Sequence, residues 1–129
     1  MSETTNKNGA LPFNTALGFT SIPNAVCLYY VRHPRFTPTT ERLYRYLLQR
    51  HNSAFGYAFP SFSVIRRECN IGSNETIGKS LESLEYLGLI KRSKHDNGST
   101  WMNNVYYFEK PIEDEAEFMR VFGDDIKRK

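Results

Sequence analysis

A single change of hydrophobic period, between residues 73 and 108, constrains the fold of this chain more than any other feature. Apolar side chains first recur at spacings of four, three and three residues, at Ile77, Leu81, Leu84 and Leu87. That spacing places them on one face of an α-helix, and Gly88 follows where helices commonly end. Residues 89–94 and 104–108 then alternate with a period of two on either side of an Asn-Gly turn signal. The pattern predicts a helix followed by a two-stranded hairpin.

Helix start signals precede this stretch. Thr37 stands immediately before a proline and is expected to cap one helix, because its hydroxyl can accept a bond from an unpaired N–H of the first turn. Ser61 and Ser73 are expected to cap a second and a third helix in the same way. Asn70 or Gly72 would take a positive φ in the tight turn between these two helices. The sequence therefore predicts three consecutive helices before the hairpin.

The two ends of the chain carry weaker signals. Residues 19–22 predict a short strand, and Asn24 is expected to cap a short helix. Residues 1–12 are polar and predict a flexible N-terminal arm, whereas residues 13–110 predict a single domain. Residues 111–129 predict an acidic C-terminal helix or tail. The flanks at residues 12–35 and 112–128 are the candidates for dimerisation, and the apolar residues expected to contribute most are Phe118, Met119 and Phe122.

Charge is distributed unevenly along the chain. Residues 1–110 contain 13 Lys or Arg and 8 Asp or Glu, a net charge of +5. Residues 111–129 contain 4 and 6, a net charge of −2, so the whole chain carries +3. A basic body with an acidic end fits a polyanionic partner.

Cysteine and histidine spacing argues against a metal, a cofactor or a catalytic site. Cys27 and Cys69 have no short-range partners, so they predict core residues rather than a disulfide framework or a zinc site. No stretch resembles a nucleophile motif or a phosphate-binding glycine loop, which argues against an enzyme. The chain also lacks a run of ~20 apolar residues and the apolar run of a secretory signal. A cytoplasmic, non-enzymatic protein is expected, with neither metal nor membrane among its partners.

Four short patterns follow one another between residues 60 and 108. They are Pro60-Ser61, Ser73-x-x-Thr76-Ile77, Leu81-x-x-Leu84-x-x-Leu87-Gly88-Leu89-Ile90 and Asn103-Asn104-Val105-Tyr106. Together they resemble the winged helix-turn-helix family, and over residues 19–108 the chain looks like proteins of that type encoded by phages, plasmids and conjugative elements of Gram-positive bacteria. The resemblance implies an α+β, mainly α, fold, in which a three-helix core carries a two-stranded β-hairpin wing and short N- and C-terminal additions. The chain departs from the family at Glu75 and Gly78, where basic or hydroxyl residues are usual.

The resemblance assigns three groups of DNA-contacting residues. The recognition helix would contribute Ser73, Asn74, Glu75, Thr76, Gly78 and Lys79. Phosphates near the second helix would be held by Ser61, Ser63, Arg66 and Arg67. The wing would contribute Lys91, Arg92, Lys94, His95, Asn97, Ser99 and Thr100. On the recognition helix, Asn suits adenine, Glu the cytosine amino group, and Lys guanine or a phosphate. Gly78 suits a close approach of DNA, and a neutral surface position is the alternative.

Three functions follow from these expectations. The first is sequence-specific binding of double-stranded DNA by a mobile-element protein, as a transcriptional repressor or as an accessory factor at a transfer origin. The second is a replication initiator or replisome-organising protein that binds origin repeats. The third is a winged helix that binds proteins and not DNA. A second copy of the chain is the expected partner besides DNA, together with relaxosome or replication proteins.

Overall fold

A computed structural model describes residues 18–51, 56–96 and 102–127 of the chain. Its elements in chain order are α1 (Asn24–Leu28), a turn of 3₁₀ helix (Tyr30–Arg32), α2 (Pro38–Gln49), α3 (Phe62–Cys69), α4 (Asn74–Tyr86), β1 (Ile90–Asp96), β2 (Met102–Phe108) and α5 (Glu115–Lys127). The fold is thus α+β and mainly helical, and its order of elements is compatible with a winged helix-turn-helix. Within the described ranges, every helix is too short or too polar to cross a membrane. The predicted arm at 1–12 lies outside the described residues.

The three predicted cap residues begin three helices as expected. The Thr37 hydroxyl accepts a bond from the N–H of Thr40 at 3.2 Å, and Pro38 takes the first position of α2. The Ser61 hydroxyl accepts from the N–H of Val64 at 3.3 Å at the start of α3. Each hydroxyl satisfies one of the N–H groups that the first turn of a helix leaves unpaired. Local chemistry therefore determines where α2 and α3 begin.

The turn between α3 and α4 depends on one left-handed residue. Asn70 ends α3 with φ 56° and ψ 48°, a conformation that asparagine tolerates better than most side chains. Gly72, the alternative for this role, does not have a positive φ. Ser73 then caps α4, because its hydroxyl accepts from the N–H of Thr76 at 3.1 Å. The short turn leaves α3 and α4 packed against each other.

The C-terminus of α4 is closed by backbone hydrogen bonds around a glycine. The N–H of Gly88 donates to the carbonyl of Glu85, and the N–H of Leu89 donates to the carbonyl of Leu84, both at 3.0 Å. This pair of bonds is a Schellman motif, and it requires the left-handed conformation that Gly88 adopts at φ +74°. Leu84 and Leu89 are both fully buried. The motif therefore turns the chain directly from α4 into β1.

We expect Gly88→Ala to lower the free energy of unfolding by about 1–2 kcal/mol, because a Cβ is unfavourable at positive φ. Gly78→Ala is the matched control, since Gly78 lies inside α4 and a Cβ there would have no neighbour within 4 Å. That control should raise the free energy of unfolding by about 1 kcal/mol. Urea unfolding monitored by circular dichroism measures both. Equal effects of the two substitutions would contradict the role of Gly88 in the turn.

The hairpin is an antiparallel pair that is longer than the sequence predicts. Pairing runs from Ile90 opposite Phe108 to Asp96 opposite Met102, so β1 extends two residues beyond the predicted end at residue 94. β2 begins two residues before the predicted start at residue 104. On its other edge, β2 is bridged by Ala58 through two backbone hydrogen bonds of 3.0 and 2.8 Å to Tyr106. These bonds connect the hairpin to the segment that precedes α3.

The core extends into α5. Phe118 is 0% exposed, and its ring packs against those of Tyr30 at 4.9 Å and Phe122 at 5.3 Å between centroids. The hydroxyl of Tyr30 accepts a bond from the N–H of Ile112 at 2.8 Å, which holds the chain in place before α5 begins. The predicted helix in the acidic C-terminal segment is therefore present. The expectation that Phe118 and Phe122 mediate dimerisation is wrong, because both rings are buried in the core of their own chain. Met119 packs against the same core and is partly buried.

Three other expectations at the N-terminal side are corrected. Residues 19–22 do not form a strand, since no partner strand lies beside them in the described structure, and Phe19 is 81% exposed. Asn24 is the first residue of α1, and the cap position predicted for it is occupied by Pro23. The proline ring has no group that could accept a hydrogen bond. Cys69 is buried as expected, but Cys27 is exposed because it lies on the outer side of α1.

Candidate nucleic-acid interface

Helix α4 has one buried face and one exposed face. Its buried residues are Ile77, Ser80, Leu81 and Leu84, which at helical spacing form one continuous stripe. The residues on the opposite side are Glu75, Lys79, Glu82 and Tyr86, and all four are exposed. Of the remaining residues assigned to a recognition helix, Asn74 and Thr76 are exposed, and Ser73 and Gly78 are half-buried. The predicted polar surface of this helix is therefore accessible.

The exposed face of α4 is not basic by itself. Glu75 and Lys79, four residues apart, form an ion pair with a 3.5 Å separation between Oε2 and Nζ, and their side chains are 78% and 74% exposed. A pair this exposed contributes little to stability because water screens it. Lys79 is therefore free to exchange Glu75 for a phosphate at small cost. Glu82 adds a further negative charge to this face, so cations on neighbouring elements must supply most of the attraction to a polyanion.

Capping engages the hydroxyl of Ser73. Its Oγ accepts from the N–H of Thr76 at 3.1 Å and donates to Oγ1 of Thr76 at 3.0 Å. An anion at this end of α4 would therefore meet the backbone N–H groups of the first turn and the positive end of the helix dipole. The first turn of α4 retains the capacity to bind a phosphate through its backbone.

Helix α3 places two serines at its first turn and two arginines at its last. Ser61 and Ser63 are exposed, and their hydroxyl oxygens lie 3.2 Å apart. Arg66 and Arg67 are exposed, and Arg67 lies 4.0 Å from Glu68. Arg66 makes no salt bridge to a carboxylate within the described ranges. The four residues predicted for phosphate contacts are thus at the surface, spread along a helix about 12 Å long.

Alternation along β1 divides the predicted wing cations between the two faces of the hairpin. The guanidinium of Arg92 binds both carboxylate oxygens of Glu85 in α4, at 2.8 and 3.3 Å. Because side chains alternate along a strand, Lys94 lies on the same face as Arg92, whereas Lys91 lies on the opposite face. Lys91 and Lys94 are both exposed. Among the described side chains of β1, Lys94 is therefore the cation on the α4 side that makes no ion pair.

The bidentate pair between Arg92 and Glu85 has a structural role. Two parallel hydrogen bonds restrict both the distance and the orientation of the two groups. Since both side chains are partly buried, the pair attaches the hairpin to α4 and orients it. The backbone of His95 belongs to β1, but its side chain lies outside the part of the structure that is described. Asn97, Ser99 and Thr100, also predicted for the wing, lie outside the described residues.

The sequence does not predict that Arg35 lies beside α4. The guanidinium carbon of Arg35 lies 4.7 Å from the centre of the Tyr86 ring, and its Nε donates to the hydroxyl of Ser83 at 3.3 Å. Arg35 precedes α2 and is 48 residues from Ser83 along the chain. It belongs to no helix stripe or strand alternation. No local pattern therefore indicates its position.

Known proteins provide no further guide to this surface. No protein-family model matches the chain, and neither a curated protein nor a solved structure is significantly similar to it. Within the described ranges, no group of three or more His, Cys, Asp or Glu side chains is placed to hold a metal ion. The geometry and charge of the surface itself therefore indicate what it can bind.

Proposed function

We propose that this protein is a sequence-specific, non-enzymatic binder of double-stranded DNA that uses the geometry of a winged helix-turn-helix. In this proposal the first turns of α4 enter the major groove, and α3 and the hairpin bind the flanking phosphates. The observation that carries it is the division of α4, whose apolar stripe is buried while the polar residues of its N-terminal half remain accessible. The cations of the neighbouring elements α3 and β1 are exposed as well. An α-helix with an exposed polar face fits the width of the major groove.

The side chains on α4 suit base edges. The amide of Asn74 can pair with adenine, Lys79 can reach guanine or a phosphate, and Glu75 can accept from the cytosine amino group. Gly78 supports a close approach of DNA, because a Cβ there would meet nothing within 4 Å and packing inside the protein does not require glycine. Sequence recognition is thus assigned to α4 and salt-dependent affinity to its neighbours.

Arg66 and Arg67 of α3, Lys79 of α4 and Lys94 of β1 are four exposed cations. If each neutralises one phosphate, the logarithm of the association constant should fall with the logarithm of salt concentration with a slope of about −3.6. Affinity for a short random-sequence duplex should then fall roughly 100-fold between about 50 and 200 mM salt. Fluorescence anisotropy with a labelled duplex measures this. An absence of duplex binding at low salt would refute the proposal and favour a protein-binding winged helix, which the acidic residues Glu75 and Glu82 would suit.

The biological role proposed here extends the resemblance to mobile-element proteins. We propose that the chain acts in the cytoplasm as a repressor or as an accessory factor at a transfer origin, and a replication initiator is the alternative. One such domain reads only a few base pairs, so a second copy bound to an adjacent half-site is expected. Relaxosome or replication proteins are the expected further partners. Selection of bound fragments from the DNA element that encodes the protein distinguishes a promoter, a transfer origin and a replication origin.

A further inference from the structure

A buried histidine lies in the loop before α2. His33 is 3% exposed, and its Nδ1 accepts a bond from the backbone N–H of Arg35 at 3.0 Å. Because Nδ1 is an acceptor, the ring proton lies on Nε2. Nε2 donates to Oδ2 of Asp125 in α5 at 2.9 Å. The histidine therefore connects the backbone of Arg35 to the last turns of α5.

The same carboxylate oxygen connects α5 to α4. Oδ2 of Asp125 also accepts a bond from the hydroxyl of Tyr86 at 2.5 Å. The ring of Phe122 packs against both His33 and Tyr86, at 5.3 and 6.1 Å between centroids. Oδ2 of Asp125 thus accepts from both His33 and Tyr86, and the C-terminal part of α5 is attached to the exposed face of α4.

The side chain of Arg35 completes a closed ring of contacts with His33, Asp125 and Tyr86. Its guanidinium lies over the ring of Tyr86, and its Nε donates to Ser83. The positions of its backbone and of its side chain are therefore both determined by neighbours, through a closed set of contacts. We call this set the Arg35 circuit, and its members are His33, Arg35, Ser83, Tyr86 and Asp125.

We propose that Arg35 is an additional phosphate-binding residue, preorganised by the Arg35 circuit at the C-terminal end of α4. This inference rests on the proposed function. Arg35 is exposed, and within the described structure only its Nε donates a hydrogen bond, which leaves both Nη groups without a hydrogen-bond partner there. A planar guanidinium with both Nη groups available matches a phosphate bidentately. Since the side chain is already ordered, binding costs less conformational entropy than it would for a free arginine.

The position on α4 supports a phosphate contact. Tyr86 lies on the same exposed face as Glu75 and Lys79, about three turns beyond Glu75 and two turns beyond Lys79, and it is 48% exposed. Lys79 and Arg35 would therefore bind the duplex at points separated by about 10 Å along α4. Cations beside a helix that enters the major groove can contact the phosphates that flank the bases it reads.

With Arg35 as a fifth phosphate contact, the wild-type salt slope should be about −4.5 rather than −3.6. Arg35→Ala should lower the affinity for a random-sequence duplex about tenfold at low salt and return the slope to about −3.6. Arg32→Ala is the matched control, because it removes the same charge from the same loop. The guanidinium of Arg32 pairs with Glu115 at 3.1 Å, and Glu115 lies about 15 Å from Asp125 along α5. The control should bind like the wild type, as measured by anisotropy at several salt concentrations.

A second variant tests the positioning. Tyr86→Leu changes no charge but removes the ring beneath Arg35 and the bond to Asp125. It should lower affinity several-fold and leave the salt slope close to that of the wild type, because the phosphate contact remains but is no longer preorganised. A purely structural role of Tyr86 would change the melting temperature and not the affinity.

The outcomes separate this inference from the proposed function. If Arg35→Ala binds like the wild type while removal of Arg66 and Lys79 weakens binding, the inference is overturned and duplex binding stands. If the wild-type protein does not bind the duplex, both are overturned. Arg35→Lys retains the charge but not the planar fork, and it should recover the salt slope but only part of the affinity. Full recovery by lysine would overturn the preorganised contact.

Discussion

Replacement of Phe118 by alanine is expected to lower the free energy of unfolding by about 3–5 kcal/mol, the range typical of a buried phenylalanine. The ring is fully buried, and it contacts the rings of Tyr29, Tyr30 and Phe122 with centroid separations of 5.8, 4.9 and 5.3 Å. Removal therefore leaves a cavity where α5 meets the 3₁₀ turn, and the rings around it lose their packing partner. Such a loss is a large part of the total stability of a domain of this size.

Val121→Ala is the control, since Val121 belongs to the same helix and is exposed. It should change stability by no more than about 0.5 kcal/mol. Urea unfolding of both variants, followed by circular dichroism and by tyrosine fluorescence, measures the difference. If Phe118→Ala costs less than about 1 kcal/mol, α5 contributes little to the core and the acidic segment behaves as an appended tail.

The double variant Arg66→Ala with Lys79→Ala is expected to weaken duplex binding about 50-fold at low salt and to reduce the salt slope by about 1.8. Both side chains are exposed, on adjacent helices, so their removal should leave the fold unchanged. The expected loss has two causes: two phosphate contacts disappear, and Glu75 loses its ion-pair partner and then repels the duplex. Anisotropy titrations over a range of salt concentrations measure both the affinity and the slope.

The matched control is Lys110→Ala with Arg120→Ala, which also removes one lysine and one arginine. Lys110 pairs with Glu113 at 3.7 Å, and Arg120 pairs with Glu117, both outside the surface formed by α3, α4 and the hairpin. Hydrogen bonding to Arg120 lowers the pKa of Glu117, which is consistent with a local pair in the acidic segment. Equal losses for the two double variants would mean that net charge alone attracts the duplex, and the assignment of α3 and α4 to the interface would then be wrong.

The exposed face of α4 carries more negative than positive charge. The exposed face of this helix carries Glu75 and Glu82 against the single positive charge of Lys79. A surface of this kind would attract DNA weakly by itself, so in the proposed complex the surrounding arginines and lysines would have to bring the duplex into contact. A carboxylate in the groove would then penalise every base that cannot donate a hydrogen bond to it. In the proposed complex, the arrangement would favour selectivity over strong non-specific binding.

Burial also determines the charge state of three tyrosines in the core. It raises the pKa of Tyr30 and Tyr106 and raises the pKa of Tyr44 to about 12. All three therefore remain neutral at physiological pH. These rings pack as apolar residues inside the fold, and the candidate interface draws its charge from surface residues alone.

The sequence alone determines the features whose causes are local. Thr37, Ser61 and Ser73 cap helices because each hydroxyl reaches an N–H three residues ahead. The leucine stripe predicts α4 and its buried face because residues three and four apart are neighbours on a helix. Gly88 predicts the end of α4 because glycine accommodates a positive φ at little cost. The exposure of the predicted polar residues of α4 follows directly from that stripe.

Tertiary structure alone decides which distant residues meet. The apolar ring of Phe118 would suit either the core or a dimer contact. Only the packing of α5 against the 3₁₀ turn makes it part of the core. The sequence predicts Arg92 as a wing cation, whereas in the structure it pairs with Glu85. No sequence pattern singles out Arg35, and only the fold brings it against Tyr86 and Ser83. Helix caps, apolar stripes and turns are stabilised by interactions between residues a few positions apart, so they can be predicted from the sequence alone. Contacts between residues tens of positions apart depend on how whole helices and strands pack against one another. The residues adjacent in sequence do not predict that packing.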